Sequence, residues 1–419
     1  MYDLIVIGGG PAGLAAALAA KEEGIDNLLI LDRDDTLGGT LNQCIHNGFG
    51  MEYFKEDMTG PEYVQRFIDK IKQLNIEYML STTVIELKNS KDLIAVNSTK
   101  GILELKAKAI ILATGSREMP RSTINIIGGH SAGIFTAGSV QKFINLDGYM
   151  PGKEVVIFGS VDTGLIVARR LIMEGAKVKA VIEPMPYCRG RRLNVSMCLE
   201  SFEVPLLLKH TITGTIGYDR VGAVNVAPLD DENKVLHDQE FQIACDTLVL
   251  AVEAYPESDL LKQAGVNLSP ATLGPEIDEN MHTSVEGIFA CGNAVHYHEV
   301  VDKVTQESYK AGKKAADYIR GFLHKGHMIP IVFEEGIKYA IPSALNRGNA
   351  ENSVELSLRL DNLYKDSKIL VYFDDKLELT LNKELMTPGD LERVKLSSEV
   401  LERHHNCKSI TVKIEKNCD

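Results

Sequence analysis

No Cys-x-x-Cys pair occurs in the 419 residues. The seven cysteines are scattered and odd in number. That spacing excludes an obvious zinc site and suits a reducing compartment, so a cytoplasmic protein is expected. Long hydrophobic runs are missing too, and no apolar stretch reaches bilayer length, so no transmembrane segment is expected. The first apolar run starts at the second residue, which leaves no room for a signal peptide. Basic charge is in deficit: 45 Lys and Arg stand against 58 Asp and Glu, a net charge of −13. That balance argues against nucleic acid and anionic membranes as main partners. A hydrophobic content of 44% and a charged content of 25% match an ordinary globular protein with room for two or three domains.

What is present is concentrated at the start, where residues 1–24 read MYDLIVIGGGPAGLAAALAAKEEG. The run Leu4-Ile5-Val6-Ile7 predicts a buried parallel strand. An Ala-rich helix follows as far as Gly24, and Leu28-Leu29-Ile30-Leu31 predicts a second strand that ends on Asp32. Gly8, Gly10 and Gly13 have Gly-x-Gly-x-x-Gly spacing. Gly8 permits a tight turn, Gly10 lets the backbone approach a pyrophosphate, and Gly13 lets the helix pack closely on the strand. The helix N-terminus then faces the phosphates, and Asp32 stands where a carboxylate accepts from a ribose hydroxyl. Strand, turn, helix, second strand and acid agree, so dinucleotide binding is the expected role.

The stretch 33–50 is polar and Gly-rich, and it is too long for a simple connection, which favours a ligand-binding loop. An amphipathic helix is expected over 60–74. Short strands are expected over 76–80, 82–87 and 93–97 as a meander, then over 102–105 and 109–113. The last of these ends on the small-residue turn Ala113-Thr114-Gly115. Pro151-Gly152 marks a boundary. Beyond it come a strand over 155–158, the turn Gly159-Ser160-Val161-Asp162-Thr163-Gly164, a helix over 165–174 and a strand over 178–182 closed by Glu183. Two dinucleotide-type units thus form an internal repeat. Residues 283–293 read as another strand ending at a ligand, with a helix over 304–321 after it. From about residue 328 the texture turns to short strands, over 331–341, 354–360, 369–373, 377–381 and 410–414, read as a small sandwich. The expected fold class is α/β: two Rossmann-like, three-layer dinucleotide-binding domains plus a small β-rich C-terminal domain.

The glycine motif at 8–13, Ala113-Thr114-Gly115 and the 283–293 stretch together resemble the flavoprotein pyridine nucleotide–disulfide oxidoreductase superfamily. That resemblance implies FAD on the first unit, and NAD(H) or NADP(H) on the second. It implies a discontinuous FAD domain over 1–116 and 280–325, an NAD(P)-binding-like domain over 117–279 and the β-rich domain over 326–419. On the same basis FAD contacts are expected from Gly8, Gly10, Pro11, Ala12, Gly13, Asp32, Arg33, Gly39, Thr40, Asn42, Cys44, Val84, Ala113, Thr114, Gly115, Gly292, Asn293 and Val304. Stretches 37–50, 131–145 and 148–160 further resemble the flavoproteins that accompany bacterial glycerol-3-phosphate dehydrogenases. They resemble more distantly the FAD subunits of opine and hydroxyproline dehydrogenases. A dehydrogenase or small electron-transfer protein is thereby implied as partner, and a homo-oligomer is compatible with the same resemblance.

The chain departs from the superfamily pattern where the chemistry lies. The loop after Asp32 keeps a single cysteine, Cys44, so dithiol exchange there is not expected. Cys44 is a candidate for a flavin charge-transfer contact or a sulfenic acid, or else a small residue lining the flavin. His46 and His298 are acid–base candidates by their near-neutral intrinsic pKa. His296, His298 and Glu299 lie close in sequence, but three polar residues on one loop make a poor closed site, so no metal is expected. Asn293 replaces the usual Asp. In the second unit Gly159, Ser160, Val161, Asp162, Thr163, Gly164, Glu183 and Arg191 are the expected nicotinamide-nucleotide residues. Val161 replaces the central glycine, and Glu253 replaces another. Glu183 suits a 2′-hydroxyl, whereas Arg189, Arg191 and Arg192 could accept a 2′-phosphate. Two readings follow: an NAD(P)H:acceptor reductase, or an FAD-bearing electron-transfer subunit with a decayed nicotinamide site.

Overall fold

A computed structural model describes residues 1–416 apart from 125, 324–325, 347–352 and 405. It divides into two compact units, Met1–Arg117 with Tyr255–Asp419, and Glu118–Ala254.

The first unit opens with β1 (Tyr2–Ile7), α1 (Pro11–Glu22), β2 (Leu28–Leu31), α2 (Gly60–Gln73), β3 (Glu77–Met79), β4 (Thr82–Leu87), β5 (Asp92–Asn97) and β6 (Gly101–Leu112). The parallel sheet runs β3-β2-β1-β6, and strand Ile288–Ala290 returns to pair with β6. Every side chain of β2 and the last four of β1 are buried, as strands covered on both faces require. β3 pairs in parallel with β2, so it belongs to this sheet and not to the expected meander. The expected strands over 102–105 and 109–113 are one strand. The first half of β6 pairs antiparallel with β5 and its second half pairs parallel with β1. The alternating exposure of residues 101–106 gives way to continuous burial at 109–112, and that change of texture reads in sequence as a break.

In the second unit come α3 (Ala137–Asn145), α4 (Asp162–Met173) and α5 (Arg192–Cys198). Its parallel sheet has the order Leu206–Leu208, Lys177–Glu183, Glu154–Phe158, Thr247–Leu250, Ile134–Thr136. A three-stranded antiparallel sheet of His210–Ile216, Ala223–Pro228 and Phe241–Ala244 accompanies it.

The chain re-enters the first unit through α6 (Asp259–Gln263) and α7 (Val301–Ile319). The alanines of α1 let α7 come close: a Cβ on Gly312 would lie 2.1 Å from the Ala16 carbonyl oxygen and 2.8 Å from Ala19 Cβ. The C-terminal segment is a sandwich of a five-stranded and a three-stranded sheet around one apolar core. The expected strand over 331–341 is two, Met328–Phe333 and Ile337–Ile341, and strand Leu391–Ser397 was not expected. Charged residues at 392, 393 and 395 separate its buried Leu391, Val394 and Leu396. Among the described residues no helix is long and apolar enough to cross a membrane.

Candidate functional site

The first glycine turn is a frame held open. Gly8 has φ of +113°, and a Cβ there would lie 2.3 Å from the Ala113 carbonyl oxygen. A Cβ on Gly13 would stand 1.8 Å from the Gly8 carbonyl oxygen, so only glycine lets α1 sit this close to β1. Above Gly10 nothing lies nearer to such an atom than Gly39 Cα, at 3.9 Å. Gly10 is the N-cap of α1 and Pro11 occupies its first turn. The first turn carries no acidic side chain, and no side chain caps the helix. The helix start is thus bare of chain-derived acceptors, as a phosphate site requires.

Asp32, 7% exposed, steadies that turn: one carboxylate oxygen accepts from Gly9 N and the other from Asp34 N at 2.8 Å. Burial raises its pKa, and the two amide hydrogen bonds work against that rise. Across the opening, a Cβ on Gly292 would stand 2.8 Å from Ala12 Cβ and 3.1 Å from Val304 Cγ1. The structure therefore brings Ala12, Gly292 and Val304 together, with Ala113 buried at the end of β6. Thr114 Oγ1 donates to the Glu257 carbonyl at 3.0 Å, while Gly115 and Val84 are partly exposed. Arg33 and Thr40 lie at the surface, and Asn42 folds back to donate to the Leu37 carbonyl at 3.0 Å.

Cys44 is held beneath the start of α2: its Sγ donates to the Thr40 carbonyl at 3.4 Å, and Gly60 packs on its backbone. Packing around the sulfur pushes the thiol up to about 12, so it stays protonated near neutral pH. His46 lies 2.9 Å from the Asn47 carbonyl through Nδ1, with its ring against Phe49. Among the described residues, neither joins a cluster of potential metal ligands. His298 does. Its Nε2 lies 3.0 Å from Glu307 Oε2, and its ring is 4.1 Å from that of His296. Asn293 Oδ1 accepts from the His298 backbone N–H at 3.1 Å, so this amide orients the loop. Glu299, grouped in sequence with the two histidines, instead pairs with Arg393 at 3.0 Å. Glu307 and Asp302 escaped the sequence reading. Asp302 accepts from Gly50 N at 3.1 Å and Tyr53 N at 2.7 Å, pinning the loop that follows β2. Glu307 falls on the stripe 304, 308, 311, 315 of α7, and a charge on an otherwise small, buried stripe was the available signal.

The second turn has the same frame, now covered. Gly159 has φ of +96°, and a Cβ on Gly164 would stand 2.4 Å from Ala251 Cβ. Glu183, fully buried, gives both oxygens to the chain. Its Oε2 accepts from Ser160 N at 2.9 Å, Ser160 Oγ at 2.6 Å and Arg189 Nε at 3.0 Å, and its Oε1 accepts from Met185 N at 2.9 Å. Arg189 N donates to Ser160 Oγ at 2.9 Å, and Arg191 N donates to Asp162 Oδ1 at 2.8 Å. Gly190 lies directly on the turn, where a Cβ would stand 2.8 Å from the Ser160 carbonyl oxygen. Val161 packs against the apolar core of its own unit, and Thr163 sits in the first turn of α4. Segment 188–191 therefore packs on Ser160 of the glycine turn.

An open glycine turn, a buried acid at the end of β2 and a small-residue return strand fit a bound dinucleotide. Residues 2–315 match the family described as pyridine nucleotide-disulphide oxidoreductase, and the chain belongs to that family. It is an FAD-dependent oxidoreductase, and the family implies both FAD and NAD(P)H. An opine oxidase subunit of Agrobacterium tumefaciens (strain Ach5) is 24% identical over 314 residues, which are 70% of this chain and 61% of that one. Thioredoxin reductase of Bacillus subtilis (strain 168) is 25% identical over 295 residues, 70% of this chain and 86% of that one. The crystal structure of T. acidophilum thioredoxin reductase superposes with a TM-score of 0.62 at 21% identity, covering 75% of this chain and 98% of that one; it shares the fold. The bare start of α1 and the glycine-lined opening fit FAD.

Proposed function

We propose that this chain is the FAD-bearing subunit of a dehydrogenase, with a second unit that no longer offers a strong nicotinamide site. The carrying observation is the contrast between the two glycine turns. A Cβ on Gly10 would have only Gly39 Cα near it, at 3.9 Å, whereas the second turn carries Val161 at that position, with Gly190 packed on the Ser160 carbonyl oxygen. Bound FAD would supply two-electron chemistry between a reduced donor and an acceptor. Gly10, Gly13 and the amides at the start of α1 would hold its pyrophosphate, Asp32 would fix the turn, and Gly292 with Val304 would give it close backbone access. The proposed partner is a separate dehydrogenase or a small electron-transfer protein. The opine oxidase relative is itself named as one subunit of its enzyme, which supports that choice. The association with glycerol-3-phosphate oxidation rests on the sequence resemblance alone. The same reading keeps the protein in the cytoplasm.

A second reading, an NAD(P)H:acceptor reductase, is favoured by the family itself and by the intact Gly159 and Gly164 frame. Stopped-flow mixing of the flavin-loaded protein with NADH and with NADPH, followed at the flavin absorption, separates the two. Slow reduction that does not saturate is expected. Fast, saturable bleaching by either nucleotide would establish the reductase instead.

A further inference from the structure

Beside Asn293, three ligand-type atoms converge in a way that the proposed function does not use. One ring nitrogen from each of His296 and His298 and a carboxylate oxygen of Glu307 all lie within 4.8 Å of one another. The Nε2 atoms of His296 and His298 stand 3.5 Å and 3.0 Å from Glu307 Oε2. Around a tetrahedral ion with bonds of about 2.0–2.1 Å, neighbouring ligand atoms are about 3.3 Å apart. The observed edges bracket that value.

The surroundings hold these atoms in place. His298 Nδ1 lies 3.1 Å from the His296 carbonyl oxygen and 3.2 Å from Asn293 Oδ1. Both are acceptors, because Asn293 Oδ1 also takes the His298 backbone N–H, so Nδ1 carries the proton. Nε2 then faces a carboxylate oxygen at 3.0 Å, an arrangement that a second ring proton or a bound cation satisfies. Glu307 Oε1 is already fixed by Gly292 N at 2.8 Å, leaving Oε2 for the histidines. His296 is 1% exposed, yet neither of its ring nitrogens has a hydrogen-bond partner. A buried imidazole whose polar contact is one carboxylate oxygen at 3.5 Å is under-satisfied, and a ligated ion would satisfy it. Outer hydrogen bonds that set tautomer and ring orientation, as those on His298 do, accompany metal-ligating histidines.

We propose that His296, His298 and Glu307 bind one divalent transition-metal ion of the zinc class, with an open coordination position. His298 and Glu307 also line a cavity of about 190 Å³ with Asp278, Glu279, Gln306 and Lys303. A water or small ligand in it would stand beside His298 and Glu307. The donor set, two imidazoles and a carboxylate, suits zinc, cobalt and copper better than magnesium or calcium.

The test uses the full-length, flavin-loaded protein after dialysis against a chelator. Calorimetric titration with Zn²⁺ and visible spectra with Co²⁺ are compared for the wild type, His296→Asn and Glu307→Gln, with flavin content measured for each. Expected is one ion per chain in the wild type, with affinity falling by at least about 100-fold in either variant. His296→Asn keeps its flavin, because the ring makes no hydrogen bond. Absence of binding to the wild type overturns the proposal. So does wild-type affinity in both variants, which would place the ion elsewhere, for instance on cysteine thiols. If a variant does not fold, the wild type alone still decides. Bound Cu²⁺ must show nitrogen hyperfine coupling from imidazole, and an oxygen-only or sulfur-only spectrum overturns the site.

Discussion

Gly10 and Cys44 carry opposite lessons about single residues. A Cβ on Gly10 would meet only Gly39 Cα, at an ordinary contact distance of 3.9 Å, so the chain itself leaves room for a β-carbon there. Gly10→Val is therefore expected to give a stable protein that has lost most of its flavin, read from the ratio of flavin to protein absorbance. Full flavin occupancy would mean that the pyrophosphate lies elsewhere. Cys44 has a thiol raised far above neutrality by its packing, so it offers almost no thiolate. Cys44→Ser should keep the flavin and at least about half of any dye-reductase turnover, with an unchanged pH profile between about pH 6 and 9. Abolished turnover at normal flavin content would make Cys44 a redox participant.

Among the elements, the first βαβ unit was legible because each of its glycines answers a local geometric demand that spacing alone expresses. The second was legible as a frame, while the segment that packs on it was not. Nothing near Val161 in sequence announces that residues 188–191 fold back onto Ser160, because that contact depends on the direction the chain takes after Glu183. The HxH loop was similarly half legible: its histidines are four and six residues beyond Gly292, but the carboxylate that completes the group comes from α7. β6 was misread because one strand serves two sheets with different periodicities. The covered turn also alters what a single reversion can do. Val161→Gly is expected to leave NADH and NADPH binding weak, within about threefold of wild type by calorimetry, since segment 188–191 still lies on the turn. Low-micromolar affinity in that variant would show that Val161 was the obstacle after all.

At the scale of the whole molecule, the sandwich is fastened to the return segment near the histidine loop. Arg359, 8% exposed, donates to the Tyr297 carbonyl at 2.9 Å, and Glu279 Oε2 accepts from Asn346 N at 2.6 Å. Burial, then the neighbouring Asp278, lifts Glu279 from 4.5 to about 7. A carboxyl with a raised folded-state pKa holds its proton more tightly when folded. Its favourable contribution is present below pH 4.5 and is lost as pH rises to about 7. Denaturant titrations across that window should show wild-type stability falling relative to Glu279→Gln, by up to about 3 kcal/mol. Parallel curves would show that Glu279 titrates normally. The covered turn also has a consequence for ligand competition. Segment 188–191 is a tethered competitor, present over Ser160 at an effective concentration that for short linkers is in the millimolar range. On the proposed reading, a free dinucleotide would have to displace it before reaching Ser160. A ligand that binds only the folded state raises the melting temperature with the logarithm of its concentration. Added FAD should therefore shift the thermal transition of flavin-stripped protein, and millimolar NADH should leave it in place.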